Sequence, residues 1–556
     1  MGKTNNALHN AGHFQLSFYA GSQIFAYSAP PAEFLMFDAA QPYPSQRSPV
    51  CAANAVATSQ PLATQAGIEA LRRGGNAVDA ALAAAITLTV VEPNNNGVGS
   101  DAFAIVWDGA SLNGLNASGR SPATITPHAF EGQTKVPILG WDVITVPGAV
   151  SAWVELSDRY GKLSFADLFE SAIGYARSGF LVGPKTAYYW QRAAETYKDF
   201  PDFCEHFLPA PGAGDRFVRP ELAHTLELIA LSKGEAFYRG ELASAIAEAA
   251  AAADAAFSLK DLEDHQADWV TPVSQTYRDI ELHEIPPNGQ GLAALIALGI
   301  LRHLDAPDPD TAEGIHVQIE AMKLAIRAAF DHFADPRSMR ISPEELLGED
   351  SLAAAARGIT DRAANLPPRI LPVGQDTVYL CAADSSGMMV SYIQSNFMGF
   401  GSGIVIPDTG IAMQNRGYGF SLEPGHPNVL AGGKRPYHTI IPGFVTSAGA
   451  PLLSFGVMGG HMQHQGHVQM VNRIFDHGQN PQAASDAPRW HVYEDFSVGC
   501  EAGVPDAVLA ELANRGHEVK REPLEHVFGG AQLILKTADG YVAGSDHRKE
   551  GQAAGF

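Results

Sequence analysis

From Ser59 onward apolar residues recur at helical spacing: Leu62, Ala66 and Ala70 share one face. Ser59 reads as the cap of this helix, Pro61 fits its first turn, and Gly74-Gly75 ends it. Asn76 then opens a second helix, in which Asp79 completes a capping-box pattern and Ala-rich turns run to about Thr89. The same periodicity predicts helices over residues 148–160, 164–177, 219–234, 238–254, 289–304, 311–333 and 350–364. After Pro372 the period shortens to two. Thr377–Ala383 and Met388–Gln394 flank Asp384-Ser-Ser-Gly387 and predict a hairpin, with further strands at 437–445, 451–457, 530–536 and 540–544. Helix therefore dominates the first two thirds of the chain and strand the last, and there is no internal repeat.

Composition narrows the classes of function. The chain has 556 residues, 46% hydrophobic and 17% charged, which is enough to bury a large core and excludes a disordered or fibrous protein. A net charge of −23 repels phosphate backbones and anionic lipid, so neither nucleic acid nor a membrane surface is expected as a partner. Cys51, Cys204, Cys381 and Cys500 are scattered, without CxxC or any metal-ligand spacing. Gly97-Val-Gly99-Ser-Asp-Ala102 superficially matches a dinucleotide fingerprint. It follows a helix and precedes a strand, however, the reverse of the order that aims amides at a pyrophosphate, so it is read as a tight turn. His461, His464 and His467 are read as polar surface residues; no metal and no cofactor are expected. Phe14 to Phe37 lacks the basic start and continuous apolar core of a signal peptide, and Ala80–Val91 is too short for a span of ~20 residues. A soluble, cytoplasmic protein is expected, the periplasm being the alternative, with residues 1–49 an extension outside the fold.

Two local features suggest chemistry. Gly459-Gly460 ends a strand and opens a helix, so its backbone can approach a ligand closely and aim amides at an anion or oxyanion. Thr377 opens the hairpin, whose second strand brings Ser391 and Ser395 alongside. A threonine hydroxyl is a weak nucleophile without a neighbouring base, and a free α-amine on the same residue is one solution. That solution requires the chain to break between Asp376 and Thr377.

Several segments, in order, resemble the gamma-glutamyltranspeptidase family: Gly74-Gly-Asn-Ala-Val-Asp-Ala-Ala81, Val146-Pro-Gly-Ala-Val150, Pro286-Pro-Asn-Gly-Gln-Gly291, Asp376-Thr377, Phe400-Gly-Ser-Gly-Ile-Val405, Gly432-Gly-Lys-Arg-Pro436 and Gly459-Gly460. The resemblance implies an α+β fold, a four-layer αββα sandwich of the N-terminal-nucleophile hydrolase type. It would be built jointly from a large fragment, 50–376, and a small one, 377–556, that stay associated after self-cleavage. It also implies Thr377 as nucleophile with its own α-amine as general base, Ser395 beside it, and the amides of Gly459 and Gly460 as oxyanion hole. Arg120 matches an arginine that grips a substrate carboxylate, and His438-Thr439 stand where the family has a serine pair.

The departures bear on specificity. In Gln414-Asn-Arg-Gly-Tyr-Gly419, Arg416 and Gly419 replace an acidic or amide residue and an Asp that holds the substrate ammonium. A gained cation and a lost anion favour an acyl group whose far end is only a carboxylate, unless Glu423 compensates. Phe397 replaces an Asn, which the adjacent Asn396 could supply. The implied partner is a small-molecule amide with a carboxylate-bearing acyl group. The leading expectation is a self-cleaving gamma-glutamyl hydrolase or transferase of the glutathione hydrolase type. The alternatives are a glutaryl-cephalosporin acylase type with the same nucleophile and, from another class, an uncleaved, inactive binding protein.

Overall fold

The computed structural model describes residues 46–365 and 377–556. Most of the expected N-terminal extension, and Asp376, lie outside the described residues. Fourteen strands form two seven-stranded sheets: β1 (Val50–Ala52), β2 (Ala55–Thr58), β3 (Asp101–Trp107), β4 (Leu112–Ala117), β5 (Asp268–Val270), β6 (Val273–Tyr277), β7 (Ile280–Glu284), β8 (Val378–Ala383), β9 (Met389–Ser395), β10 (Gly443–Ser447), β11 (Ala450–Met458), β12 (Gly530–Lys536), β13 (Tyr541–Ser545) and β14 (Gln552–Gly555). One sheet runs β1-β13-β12-β11-β10-β7-β6 and the other β14-β2-β8-β9-β3-β4-β5, every recorded pairing in them antiparallel.

Alternation along the strands divides the core into layers. On β8, Val378, Leu380 and Ala382 pack toward helices α1 (Pro61–Arg72), α2 (Ala77–Val91) and α3 (Ala149–Tyr160). Tyr379 and Cys381 point the other way, meeting Phe444, Met458 and Ile534 of the second sheet. Behind that sheet, Val445, Phe455 and Val457 pack against α4 (Gly291–Leu301), α5 (Ala312–His332) and α6 (Met462–Val471). Strands buried on both faces read as continuous apolar runs, and the four layers αββα follow.

Local rules were kept with small shifts. The cap of α1 is Gln60, not Ser59: the Gln60 side-chain oxygen Oε1 accepts from the Leu62 and Ala63 amides, while Ser59 Oγ donates to Glu92 (2.5 Å). Asn76 and Asp79 do form the capping box of α2. We expect Asn76→Ala to lower unfolding stability by about 1 kcal/mol, and Asn76→Ser, which keeps a capping oxygen, to lose less; equal denaturation midpoints for Asn76→Ala and the parent would refute this. Pairing in the second sheet begins only at Gly443, because 436–440 instead bonds to the segment 288–290. The reading of His461, His464 and His467 as surface residues is overturned: all three are buried. His464 Nδ1 lies 3.0 Å from Gln290 Oε1, His467 Nδ1 lies 2.6 Å from Glu284 Oε1, and His461 stacks on Tyr437. Among the described residues, no helix is long and apolar enough to cross a membrane.

Candidate active site

The hairpin places Thr377, buried, immediately before β8. Val378 pairs with Gln394 and Ser395 with Asp101, so one row across three strands carries Thr377, Ser395 and Asp101. All three share the parity of the inward-facing Tyr379, Ile393 and Phe103. Thr377 Oγ1 donates to Ser395 Oγ (3.2 Å), and Ser395 Oγ accepts the Phe397 amide (2.8 Å). Phe397 has φ +81°, a conformation rarely held by a bulky residue, and it marks a tightly built turn just past β9.

That turn delivers Phe397 to Arg416. The guanidinium carbon lies 4.4 Å from the ring centroid, a cation–π contact, and the arginine is 0% exposed. Arg416 Nη1 donates to Thr439 Oγ1 (2.7 Å). Its other two nitrogens, Nε and Nη2, form the side-on edge that fits a carboxylate, and neither has a hydrogen-bond partner among the described residues. Burial pulls the guanidinium down to about 9, against the opposing pull of Asp101. Asn396 Nδ2 is likewise buried without a partner, while its Oδ1 accepts from Ser100 (2.8 Å). The unpartnered polar atoms of Asn396 and Arg416 are thus all donors.

Both ring nitrogens of His438 are engaged within the protein. Its Nε2 donates to Asp101 Oδ2 (3.0 Å), and its ring is wedged edge-on against Phe103. Burial, with Arg416 and Arg435 nearby, holds the imidazole neutral, well below its usual range. Asp101 Oδ1 accepts the amides of Gly119 and Gly148 (both 3.2 Å), and burial raises its carboxyl to about 6. Asp101 escaped notice in the sequence because its segment was read as a turn. A signal was available in Gly99, where a Cβ would stand 2.2 Å from the Ala412 carbonyl oxygen, so this is a close backbone crossing.

Arg120 lies in a different charge cluster. Its Nη1 bonds Asp335 (3.1 Å), which also takes Arg337 and the Arg435 amide; the Arg120 side chain is 36% exposed. Burial would raise the Asp335 carboxyl, yet these partners carry it well below the carboxylate range. The structure thus records Arg120 paired with an acid, and Arg416 as a buried cation whose Nε and Nη2 lack a hydrogen-bond partner among the described residues. Glu423, the residue that could compensate for the missing anion, is exposed, and a Cβ on Gly419 would lie 2.5 Å from the Tyr437 carbonyl oxygen, so the backbone there admits no aspartate without moving.

Gly459 and Gly460 follow β11, the strand facing β8 and β9, with φ of +111° and +57°. A Cβ on Gly459 would stand 2.9 Å from Gly529 Cα, so both conformation and space demand glycine there. The proximity of His316, Glu320 and His517 is the described grouping nearest to a metal site. Its nitrogens are taken up within the protein: His316 bonds His517 (2.7 Å) and the Thr360 carbonyl (2.7 Å), and Lys323 Nζ lies between Glu320 (2.9 Å) and His517 (3.3 Å).

Residues 63–556 match the family described as gamma-glutamyltranspeptidase. The glutathione hydrolase-like YwrD proenzyme of Bacillus subtilis (strain 168) is 35% identical over 515 residues, covering 89% of this chain and 97% of the relative. The oxamate amidohydrolase proenzyme of Klebsiella pneumoniae is 35% identical over 518 residues with the same coverage. Among solved structures, a cephalosporin acylase from Bacillus halodurans superposes with a TM-score of 0.90 at 45% identity, over 94% of this chain and 99% of that one.

Proposed function

Because this chain belongs to the gamma-glutamyltranspeptidase family, an amide hydrolase and acyltransferase family, we propose that it matures by cutting itself between Asp376 and Thr377 and then hydrolyses amides of short, carboxylate-bearing acyl groups. In maturation, Thr377 Oγ1 attacks the Asp376 carbonyl carbon, the peptide C–N bond breaks as an ester forms and frees the Thr377 amine, and water then cleaves the ester to the Asp376 α-carboxylate and the restored Thr377 hydroxyl. In turnover the amine takes the hydroxyl proton as Oγ1 attacks the substrate amide, and passes it to the departing amine. The acyl-Thr377 ester is then cleaved by water. The Ser395 contact supports Thr377 in this role, and the Gly459–Gly460 turn supplies amides for the oxyanion. The two fragments, 1–376 and 377–556, stay together because strands from both are interleaved in each sheet.

The observation that carries the substrate class is the open side-on edge of Arg416. A buried guanidinium with two unpaired donors is costly unless an acceptor such as a carboxylate meets it. Gamma-glutamyl amides such as glutathione and glutaryl amides both present one, and differ by the α-ammonium. The absence of a side chain at Gly419 and the exposure of Glu423 favour the glutaryl group. An uncompensated ammonium about 6 Å from a cation, as the carbon bearing the gripped carboxylate would hold it, loses about 3 kcal/mol at an effective dielectric near 20, or roughly a hundredfold. Matched glutaryl and gamma-glutamyl anilides should therefore differ by that order in kcat/KM, glutaryl being faster. A gamma-glutamyl preference would overturn this choice of acyl group without touching the nucleophile.

A further inference from the structure

The buried side chain of Gln290 ties together the two halves of the site. It lies in Pro286-Pro-Asn-Gly-Gln-Gly291, a motif that carries the family resemblance but to which no role has been attached so far. Its amide nitrogen donates both to the Gly460 carbonyl oxygen (2.8 Å) and to the Thr439 carbonyl oxygen. Its amide oxygen accepts from Tyr437 OH (3.0 Å) and is met by His464 Nδ1 (3.0 Å). The side chain is 0% exposed and uses all four of its hydrogen-bonding positions. Burial and the neighbouring histidines keep His464 neutral, so one ring nitrogen carries the proton it donates to Gln290.

The backbone extends the same clamp. The His438 amide donates to the Asn288 carbonyl, the Gln290 amide to the His438 carbonyl (both 2.9 Å), and Asn288 Nδ2 to the Pro436 carbonyl (2.8 Å). Segment 288–290 thereby zips along 436–440, which carries His438 and the Thr439 hydroxyl that receives Arg416. On its other side the same amide group grips the turn that begins α6.

We infer that Gln290 is a positioning residue that fixes the Gly460 turn and the Thr439 wall in one register, so that the oxyanion amides and the carboxylate-binding Arg416 are set relative to each other. This rests on the proposed function above, because it takes Gly459–Gly460 and Arg416 as the groups to be aligned. A glutamine serves because a single planar amide gives two donors to two carbonyls and still accepts twice. A carboxylate in its place gives no donor and repels both carbonyls. A misplacement on the order of 1 Å at a catalytic group costs about a hundredfold.

The test uses the mature enzyme with a glutaryl anilide and the uncharged butyryl anilide. For Gln290→Leu we expect kcat on both to fall about a hundredfold, through Gly460, and KM to rise for the glutaryl compound alone, through Thr439 and Arg416. Gln290→Glu keeps the size. Its kcat should climb relative to the parent as pH falls from 8 to 6, since the protonated acid regains a donor, and this profile separates positioning from packing. Parent-like kcat in Gln290→Leu, a change in KM alone, or a Gln290→Glu profile parallel to the parent's would each overturn the inference. Failure of the parent itself to turn over either amide would instead strike the proposed function.

Discussion

Thr377→Ala is expected to remain a single chain of 556 residues, and to hydrolyse neither glutaryl nor gamma-glutamyl amides. One hydroxyl is asked to do two jobs, attack on the Asp376 carbonyl and attack on substrate, so its removal should abolish both together. Loss of a covalent nucleophile costs about 10⁴-fold or more in turnover. Thr377→Ser, which keeps the hydroxyl and loses only the methyl, should recover cleavage and part of the activity. Denaturing electrophoresis reads the first job directly: the parent should give fragments 1–376 and 377–556. Appearance of those two bands from purified Thr377→Ala would mean that another group cuts the chain, and a parent that stays intact while hydrolysing amides would mean that the α-amine of Thr377 is not the base. An intact parent with no activity would favour the inactive binding protein.

Arg416→Met should be selective where Thr377→Ala is absolute. The guanidinium sits wholly buried, stacked by Phe397 and tethered by Thr439, with Nε and Nη2 lacking a hydrogen-bond partner among the described residues. Removing one partner of a buried, hydrogen-bonded charge pair costs about 2–5 kcal/mol, so kcat/KM for a glutaryl anilide should fall by roughly 30- to several thousandfold. The butyryl analogue has no carboxylate to lose and should change little. Arg416→Lys should rescue poorly, because an ammonium is a point charge without two parallel donors. Equal losses on the charged and uncharged substrates would show that Arg416 supports the structure and does not read the acyl group. Self-cleavage should persist in Arg416→Met, since that step needs no substrate carboxylate.

Much of the architecture was legible because it rests on local rules. The capping box at Asn76-Asp79, the stop at Gly74-Gly75 and the period-two runs on either side of Asp384-Ser-Ser-Gly387 concern residues a few positions apart. Apart from the α1 cap, which falls on Gln60 next to Ser59, the differences are nonlocal. His461, His464 and His467 look like surface residues when only their own helix is considered, but residues of other segments cover them: Gln290 bonds His464, Glu284 bonds His467 and Tyr437 stacks on His461. The span 437–442 looks like strand, but its neighbourhood, 436–440, bonds to 288–290 and not to the sheet.

By itself the sequence determined the family, the capping box and stop signals of the first two helices, and the hairpin that carries Ser395 beside Thr377. Only the tertiary structure decided what surrounds Arg416. The pairing of His438 with Asp101 spans 337 positions and that of Gln290 with Gly460 spans 170. Arg120, equal to Arg416 in the sequence as a cation for a carboxylate, is bound by Asp335 from 215 positions away. Which arginine keeps an open edge depends on the acid that packing brings to the other, and neither periodicity nor motif spacing carries that information.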